Sequence, residues 1–283
     1  MALFSLLVAI IIERLKLLPG ALQLDNGLHW YQKHLFAGNL LHSLPGMLLA
    51  LLLPAVSVAV LLWVVNGWFF GLPTLMVWVV FGMVCFSHQR QRAVFKRYMQ
   101  AACRGDVEAC YLYAGELDCT DCVDAVSEKE LGARVGQMAA WINYRYYAAV
   151  ALFLIVFGPV GVVFYCTVRF FAEERKRHDA DWPLLPGLLY VLDWLPARLV
   201  ALGFVFSGQF SSGFSRWREL AFDWRCKPRS IITGVAVAAE VMPEATLAPI
   251  CVRSTIALLA LSKRNFVLLL TILSLLTIFG WVR

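Results

Sequence analysis

Two apolar runs, residues 44–65 and 69–86, follow one another with only Asn66, Gly67 and Trp68 between them. A helix needs about 20 apolar residues to cross a bilayer, so two such runs this close must return on each other as a hairpin. Only Pro45 and Pro54 interrupt the first run. Trp63, Trp68 and Phe70 crowd the turn, where an aromatic belt belongs at a membrane surface. The other end opens into Gln89-Arg90-Gln91-Arg92 and then Lys96-Arg97. By the positive-inside rule that end is cytoplasmic and the Asn66-Gly67 turn faces out. With 60% hydrophobic and 16% charged residues, the composition excludes an ordinary soluble domain. The +6 net charge lies beside apolar segments, so it reads as membrane anchoring and not as nucleic-acid binding.

The expected fold is all-α: a polytopic helical membrane protein with broken or re-entrant segments and cytoplasmic helices. Its hydrophobic segments are 1–18, 44–65, 69–86, 147–171, 188–207 and 265–282. The first begins outside, stops at Pro19-Gly20 and carries Glu13 and Arg14 near its end. Residues 21–44 read as an interfacial loop or short helix, whose histidines lack the spacing of a helical metal pair. Residues 87–146 form a cytoplasmic helical insertion. In it, His88 to Leu117 is helix-like, with Val94, Tyr98, Ala101 and Ala102 on one stripe. A turn-rich break, Asp118 to Val126, precedes Ser127-Glu128-Lys129-Glu130, which matches a capping box and starts a helix into Trp141-Ile142-Asn143-Tyr144. Residues 208–264 form cytoplasmic amphipathic helices. Phe210, Phe214, Trp217, Ala221 and Trp224 make a single stripe, suited to the headgroup plane or to packing on the bundle. Lys263-Arg264 then anchors a last span running outward, leaving Arg283 periplasmic.

The segment 147–171 contains Gly158-Pro159-Val160-Gly161, so it either crosses or turns back. The segment 188–207 is stranger, because it carries Asp193, Pro196 and Arg198 near its middle. A charge at membrane depth costs several kcal/mol and normally faces a bundle interior, a wet cavity or a partner. Pro196 removes a backbone hydrogen bond, which disfavours a straight helix through the stretch and frees a carbonyl near Leu192. Asp193 is alternatively an N-cap for a helix beginning at Trp194. Asp193 and Arg198 lie about 140° apart on a regular helix, too far round to pair. Both are expected buried, with Glu13, Arg14, Arg145 and Arg169 as the other charges at the edges of membrane segments. These six form the candidate ligand-binding site or intramembrane polar network.

Little reaction chemistry is legible. The chain has no phosphate-binding GxxxxGK[ST] loop, GxGxxG, HExxH or GxSxG. Cys119 and Cys122 form a CxxC without the second pair that a four-cysteine zinc site needs. Reduced thiols, no metal and no cofactor are expected.

Longer motifs carry a resemblance. Glu13-Arg14 followed by Leu24-Asp25, Pro73-Thr74-Leu75, Ala114-Gly115-Glu116-Leu117 and Trp141-Ile142-Asn143-Tyr144-Arg145-Tyr146-Tyr147 resemble the AmpE family. So do Phe157-Gly158-Pro159-Val160-Gly161 and Val191-Leu192-Asp193-Trp194-Leu195-Pro196-Ala197-Arg198-Leu199. That resemblance implies a multi-pass protein of the bacterial inner membrane, encoded with a cell-wall amidase and linked to β-lactamase regulation, antibiotic resistance and signalling. It implies no reaction. The partners it suggests are the lipid bilayer and a cell-wall amidase or a cell-wall-derived small molecule, with no nucleic acid. The last two motifs also resemble the cobinamide-phosphate synthases of cobalamin biosynthesis. The chain departs from those enzymes at their N-terminal Gly-Asp-Pro motif and before the fourth hydrophobic segment, where it reads Gly136-Gln137-Met138-Ala139-Ala140-Trp141. Two readings follow: a non-enzymatic regulatory or sensory membrane protein, or an enzyme or ligand-binder with its site around Asp193 and Arg198.

Overall fold

The structure, a computed structural model, describes residues 2–15, 23–36, 39–86, 89–117, 122, 125–178, 182, 184–241 and 249–280. It is 89% helical and without strands among those residues. In chain order the helices are α1 Ala2–Leu15, α2 Leu24–Leu35, α3 Leu44–Val65, α4 Leu72–Cys85, α5 Gln89–Arg104, α6 Val107–Glu116, α7 Glu128–Asn143, α8 Ala149–His178, α9 Leu185–Ser207, α10 Phe210–Ala221, α11 Pro228–Ala239 and α12 Ile250–Ile278. The chain divides into two compact units. The first comprises Met1–Ser87, Ala149–Asp193 and Leu273–Arg283, the second His88–Ala148 and Trp194–Ile272.

In the first unit, α8 packs against α1, α3 and α4, and α1 packs on α4. α1 buries Ala2, Ser5, Leu6 and Ala9, a single helical face, while Phe4, Leu7, Ile11 and Leu15 stay exposed. α3 likewise buries Met47, Ala50, Leu51, Ala55 and Val58 and leaves apolar side chains on its other faces. A helix that is apolar all round but only partly covered by protein is built to be finished by lipid. The turn between α3 and α4 is longer than the sequence suggests. Trp68–Gly71 forms a 3-10 turn and Gly71 takes a left-handed conformation (φ 84), so α4 starts at Leu72. Tyr31 ties α2 to α3 by donating to the carbonyl of Ala50 at 3.2 Å, and burial pushes its phenol up to about 12.

α8 is broken at Gly158, whose φ of 66 and ψ of −161 lie where essentially only glycine goes. A Cβ there would also sit 3.0 Å from the Trp78 ring. Pro159 follows at the start of the second half, where a missing N–H leaves nothing unmet. Phe153 and Tyr165 stack across the break at 4.5 Å.

In the second unit the helix-like stretch 88–117 is two helices. Gly105 turns left-handed (φ 74), and Asp106 caps α6 by accepting from the Ala109 N–H at 3.0 Å. Val94, Tyr98, Ala101 and Ala102 are buried along α5. Half of the capping box forms: Ser127 accepts from Glu130 N–H at 3.3 Å, while Glu130 reaches one residue further back and accepts from Val126 N–H at 3.1 Å. That backbone bond and Arg134 hold the Glu130 carboxyl below its usual range. A π-helical turn, Tyr144–Ala148, leads on from α7.

α10 lies on α11 through Gly213 and Ala239, and α11 packs on α7. At the start of α10 the aromatic stripe is not the packed face, because Phe210 and Phe214 are exposed and stacked at 5.4 Å. α12 begins at Ile250 and runs on through Lys263-Arg264, where Arg264 pairs with Glu240. Within this unit Asn265 of α12 donates to the Val200 carbonyl of α9 at 3.0 Å, and Gly203 makes room for it.

Two expectations change. α9 runs helically through Pro196, and Asp193 sits inside it, not at an N-cap. Helices at membrane depth tolerate proline because neighbouring groups re-satisfy the freed backbone. Cys122 is disulfide-bonded, so reduced thiols do not hold throughout this region. Cys119 lies outside the described residues.

Candidate functional site

The second half of α8 carries a ladder of polar groups through a wholly buried stretch, Tyr165 to Ala172. Its rungs meet α9 and α2 of the first unit. Tyr165 donates its hydroxyl hydrogen to Asp193 Oδ1 of α9 at 2.9 Å, and Asp193 is 3% exposed. Arg169, at 1% exposure, faces Asp25 of α2 with Nη2 to Oδ1 at 3.6 Å. One turn further, the buried Glu174 accepts from Arg177 at 2.6 Å and lies 3.3 Å from His178 and 4.0 Å from His29 of α2. His29 also sets its ring edge-on to Phe170 at 4.7 Å.

The chain folds this way because two helical faces match. Asp25 and His29 stand one turn apart on α2, as do Arg169 and Glu173 on α8. Burial pushes the Asp25 carboxyl up; the Arg169 guanidinium opposes that shift and the Glu173 charge adds to it. A ladder of this kind holds charge away from lipid and passes a change at one rung to its neighbours through shared fields.

Arg198 belongs to the second unit and is 6% exposed. Its Nε donates to the Ala221 carbonyl at 2.8 Å, Nη1 to that of Trp194 at 2.9 Å, and Nη2 to that of Asp223 at 2.9 Å. Its guanidinium lies 4.0 Å from the centre of the Trp194 ring, which contacts Trp224 at 4.4 Å. Trp217 donates Nε1–H back to the Arg198 carbonyl at 3.1 Å. Arg198 therefore ties the loop after α10 to α9. Arg198→Lys should lower melting stability in detergent by about 2 kcal/mol, because an ammonium cannot span three carbonyls with the fixed fork of a guanidinium. A variant melting with the wild type would remove Arg198 from that role.

Of the other candidates, Arg145 is 8% exposed within the π-helical turn and lies 5.9 Å over the Trp141 ring. Gln91 donates to Tyr146 at 2.5 Å and Arg92 to Tyr147 at 2.6 Å beside it. Glu13 is half-buried at the end of α1 and Arg14 is exposed. Tyr165, Asp25, His29 and Glu174 are ladder residues that the candidate set lacks. The signals for them were the helical spacing of Asp25 with His29 and the place of Asp25 in the Leu24-Asp25 motif. Among the described residues no group of three or more His, Cys, Asp or Glu is arranged to hold a metal ion.

Five helical stretches are long and apolar enough to cross a membrane, and charged rungs are buried among helices that are apolar outside. These features define a polytopic helical membrane protein. The chain belongs to the AmpE family, described as regulatory signalling modulator protein AmpE, whose profile matches residues 1–282. It is 29% identical over 292 residues to Protein AmpE of Shigella flexneri, with 99% of each chain covered. No solved structure matches it.

Proposed function

We propose that this chain is a regulatory or sensory protein of the bacterial inner membrane, acting in β-lactamase induction and cell-wall recycling without a reaction of its own. The observation that carries the reading is the match to a regulatory signalling family along essentially the whole chain. The partners that go with it are the bilayer and a cell-wall amidase or a cell-wall-derived small molecule. The geometry lends support. A synthase-like site at Asp193 and Arg198 would present the guanidinium to a substrate, whereas all three of its nitrogens donate to main-chain carbonyls. Asp193 is engaged by Tyr165. Both side chains thus act as structural ties.

The test is induction of β-lactamase by a β-lactam in cells lacking the chain and in cells with it restored. Deletion should change the level of induced enzyme, and the wild-type chain should return it. Equal induction in both would overturn the reading.

A further inference from the structure

α9 is long and apolar enough to cross a bilayer and ends at Ser207, and only Gly208 and Gln209 separate it from α10. The corner is fixed. The Gln209 N–H donates to the Ala239 carbonyl at 2.7 Å, and a Cβ on Gly208 would fall 2.3 Å from the same oxygen. One side of α10 packs on α11 through Gly213 and through Ser212, whose hydroxyl donates to the Ala238 carbonyl at 2.7 Å. Round the helix from that side, a row of rings is open. Phe206 of α9, Phe210 and Phe214 are all exposed, with successive ring centres 6.1 and 5.4 Å apart. The row continues through Trp217 and Phe222 at 5.9 and 6.2 Å, and Phe222 is exposed again.

Two features bear on what covers this face. The row starts at Phe206, a side chain of the spanning helix, so whatever covers Phe210 has to share the hydrocarbon that bathes Phe206. Acyl chains meet that condition. The polar flank is basic: residues 210–229 carry Arg216, Arg218, Arg225, Lys227 and Arg229 against Glu219 and Asp223 alone. Glu219 pairs with Arg216 at 2.8 Å, and Asp223 accepts from the Arg225 backbone N–H at 2.9 Å. Arg218, Arg225 and Lys227 stand exposed.

We propose that this face is a binding site for anionic phospholipid, whose acyl chains lie along Phe206, Phe210 and Phe214 and whose headgroup phosphate meets Arg218, Arg225 and Lys227. The forked donors of arginine suit phosphate oxygens, and lysine adds a point charge. Arg198 readies the site. By holding the carbonyls of Ala221 and Asp223 it fixes to α9 the turn that leads to Arg225 and Lys227, so binding has less chain to order. A zwitterionic lipid offers the same tails, but its own ammonium balances its phosphate, so the preference resides in the cations. Each cation near an anionic membrane surface is worth about fivefold in affinity, which puts the ceiling for three at about 100-fold. The inference rests on the membrane setting of the reading above and on no other part of it.

The experiment places the full chain in phosphatidylcholine nanodiscs doped with phosphatidylglycerol that carries a photoreactive diazirine on one acyl chain. Matched discs carry the diazirine on phosphatidylcholine instead. After irradiation, labelled peptides are quantified by mass spectrometry. The open face of α3, with Leu52, Val56 and Val60 exposed, is the reference for ordinary lipid contact. Residues 206–222 should favour the phosphatidylglycerol probe at least about tenfold more than α3 does. Arg218→Gln, Arg225→Gln and Lys227→Gln together should bring that preference down to the α3 level and leave α3 labelling unchanged. Glu219→Gln releases Arg216 and should raise the preference by about fivefold, a gain that a misfolded chain would not show. The inference fails if residues 206–222 stay unlabelled while α3 is labelled, if both regions show the same preference, or if the triple variant keeps the wild-type value. If α3 also stays unlabelled, the membrane setting falls with it. Failure confined to residues 206–222 leaves the β-lactamase reading standing.

Discussion

Arg169→Met should cost about 3 kcal/mol of stability at neutral pH and much less in acid, because removing one partner of a buried pair strands the other. The methionine keeps the apolar stem packed, so the loss reports the charge. Asp25 retains 28% of its side-chain exposure, which places the expected cost at the lower end for such pairs. The pH dependence follows from the direction of the Asp25 shift. Burial holds its carboxyl above the ordinary range and Arg169 pulls it back down. A carboxyl whose folded value is raised stabilises the fold fully below its unfolded value, and that contribution is lost as pH rises through the folded value. Without Arg169 the folded value climbs further, so the variant loses more stability between acid and neutral pH than the wild type does. Asp25→Asn on top of Arg169→Met should flatten the dependence and return part of the loss. Denaturation at pH 5 and pH 8 measures this. A pH-independent loss in the single variant would mean that packing, not charge, is what Arg169 supplies.

Gly203→Ala should be a damaging small change in the second unit. Its new Cβ would fall 2.1 Å from Asn265 Oδ1, far inside contact. Asn265 is 6% exposed and spends its amide on the Val200 carbonyl, so it cannot swing away without leaving a buried polar group unsatisfied. Helices at membrane depth rely on small residues to approach closely, because lipid gives no hydrophobic drive to hold them together. A loss of about 2–4 kcal/mol is expected from the clash and the broken bond together. Gly203→Ala combined with Asn265→Ala removes the clashing amide and should recover stability relative to Gly203→Ala alone. If the double variant is worse by the full sum of the singles, the two positions do not meet.

The sequence makes much of this legible where the signal is local. The apolar run at 44–65 is α3, Ser127 and Glu130 cap α7, and the α5 stripe is the face that is buried. Gly158-Pro159 announces the break in α8. Gly105-Asp106 carried an equally good turn signal, but the apolar period of the flanking helices masked it. Pro196 pointed to a break because proline disrupts helices in water, whereas α9 continues through it. Lys263-Arg264 looked like the start of a helix, whereas the helix begins at Ile250 and carries both charges within it, Arg264 paired with Glu240. Arg169 stood out as an ionisable residue in an apolar segment. Its partner Asp25 did not, since pairing between distant helices leaves no trace in either one's spacing.

The break at Gly158 bears on how cheaply a chain can interrupt itself away from water. An isolated helix end in hydrocarbon exposes backbone groups and about half an elementary charge. At this break the end of one half and the start of the next are neighbours in sequence, so a negative end abuts a positive one and each neutralises much of the other's field. Pro159 brings one donor fewer to be satisfied. The interruption is thus nearly neutral to the surrounding dielectric, and α8 can change direction at Gly158 without drawing water, an ion or a charged side chain inward to compensate.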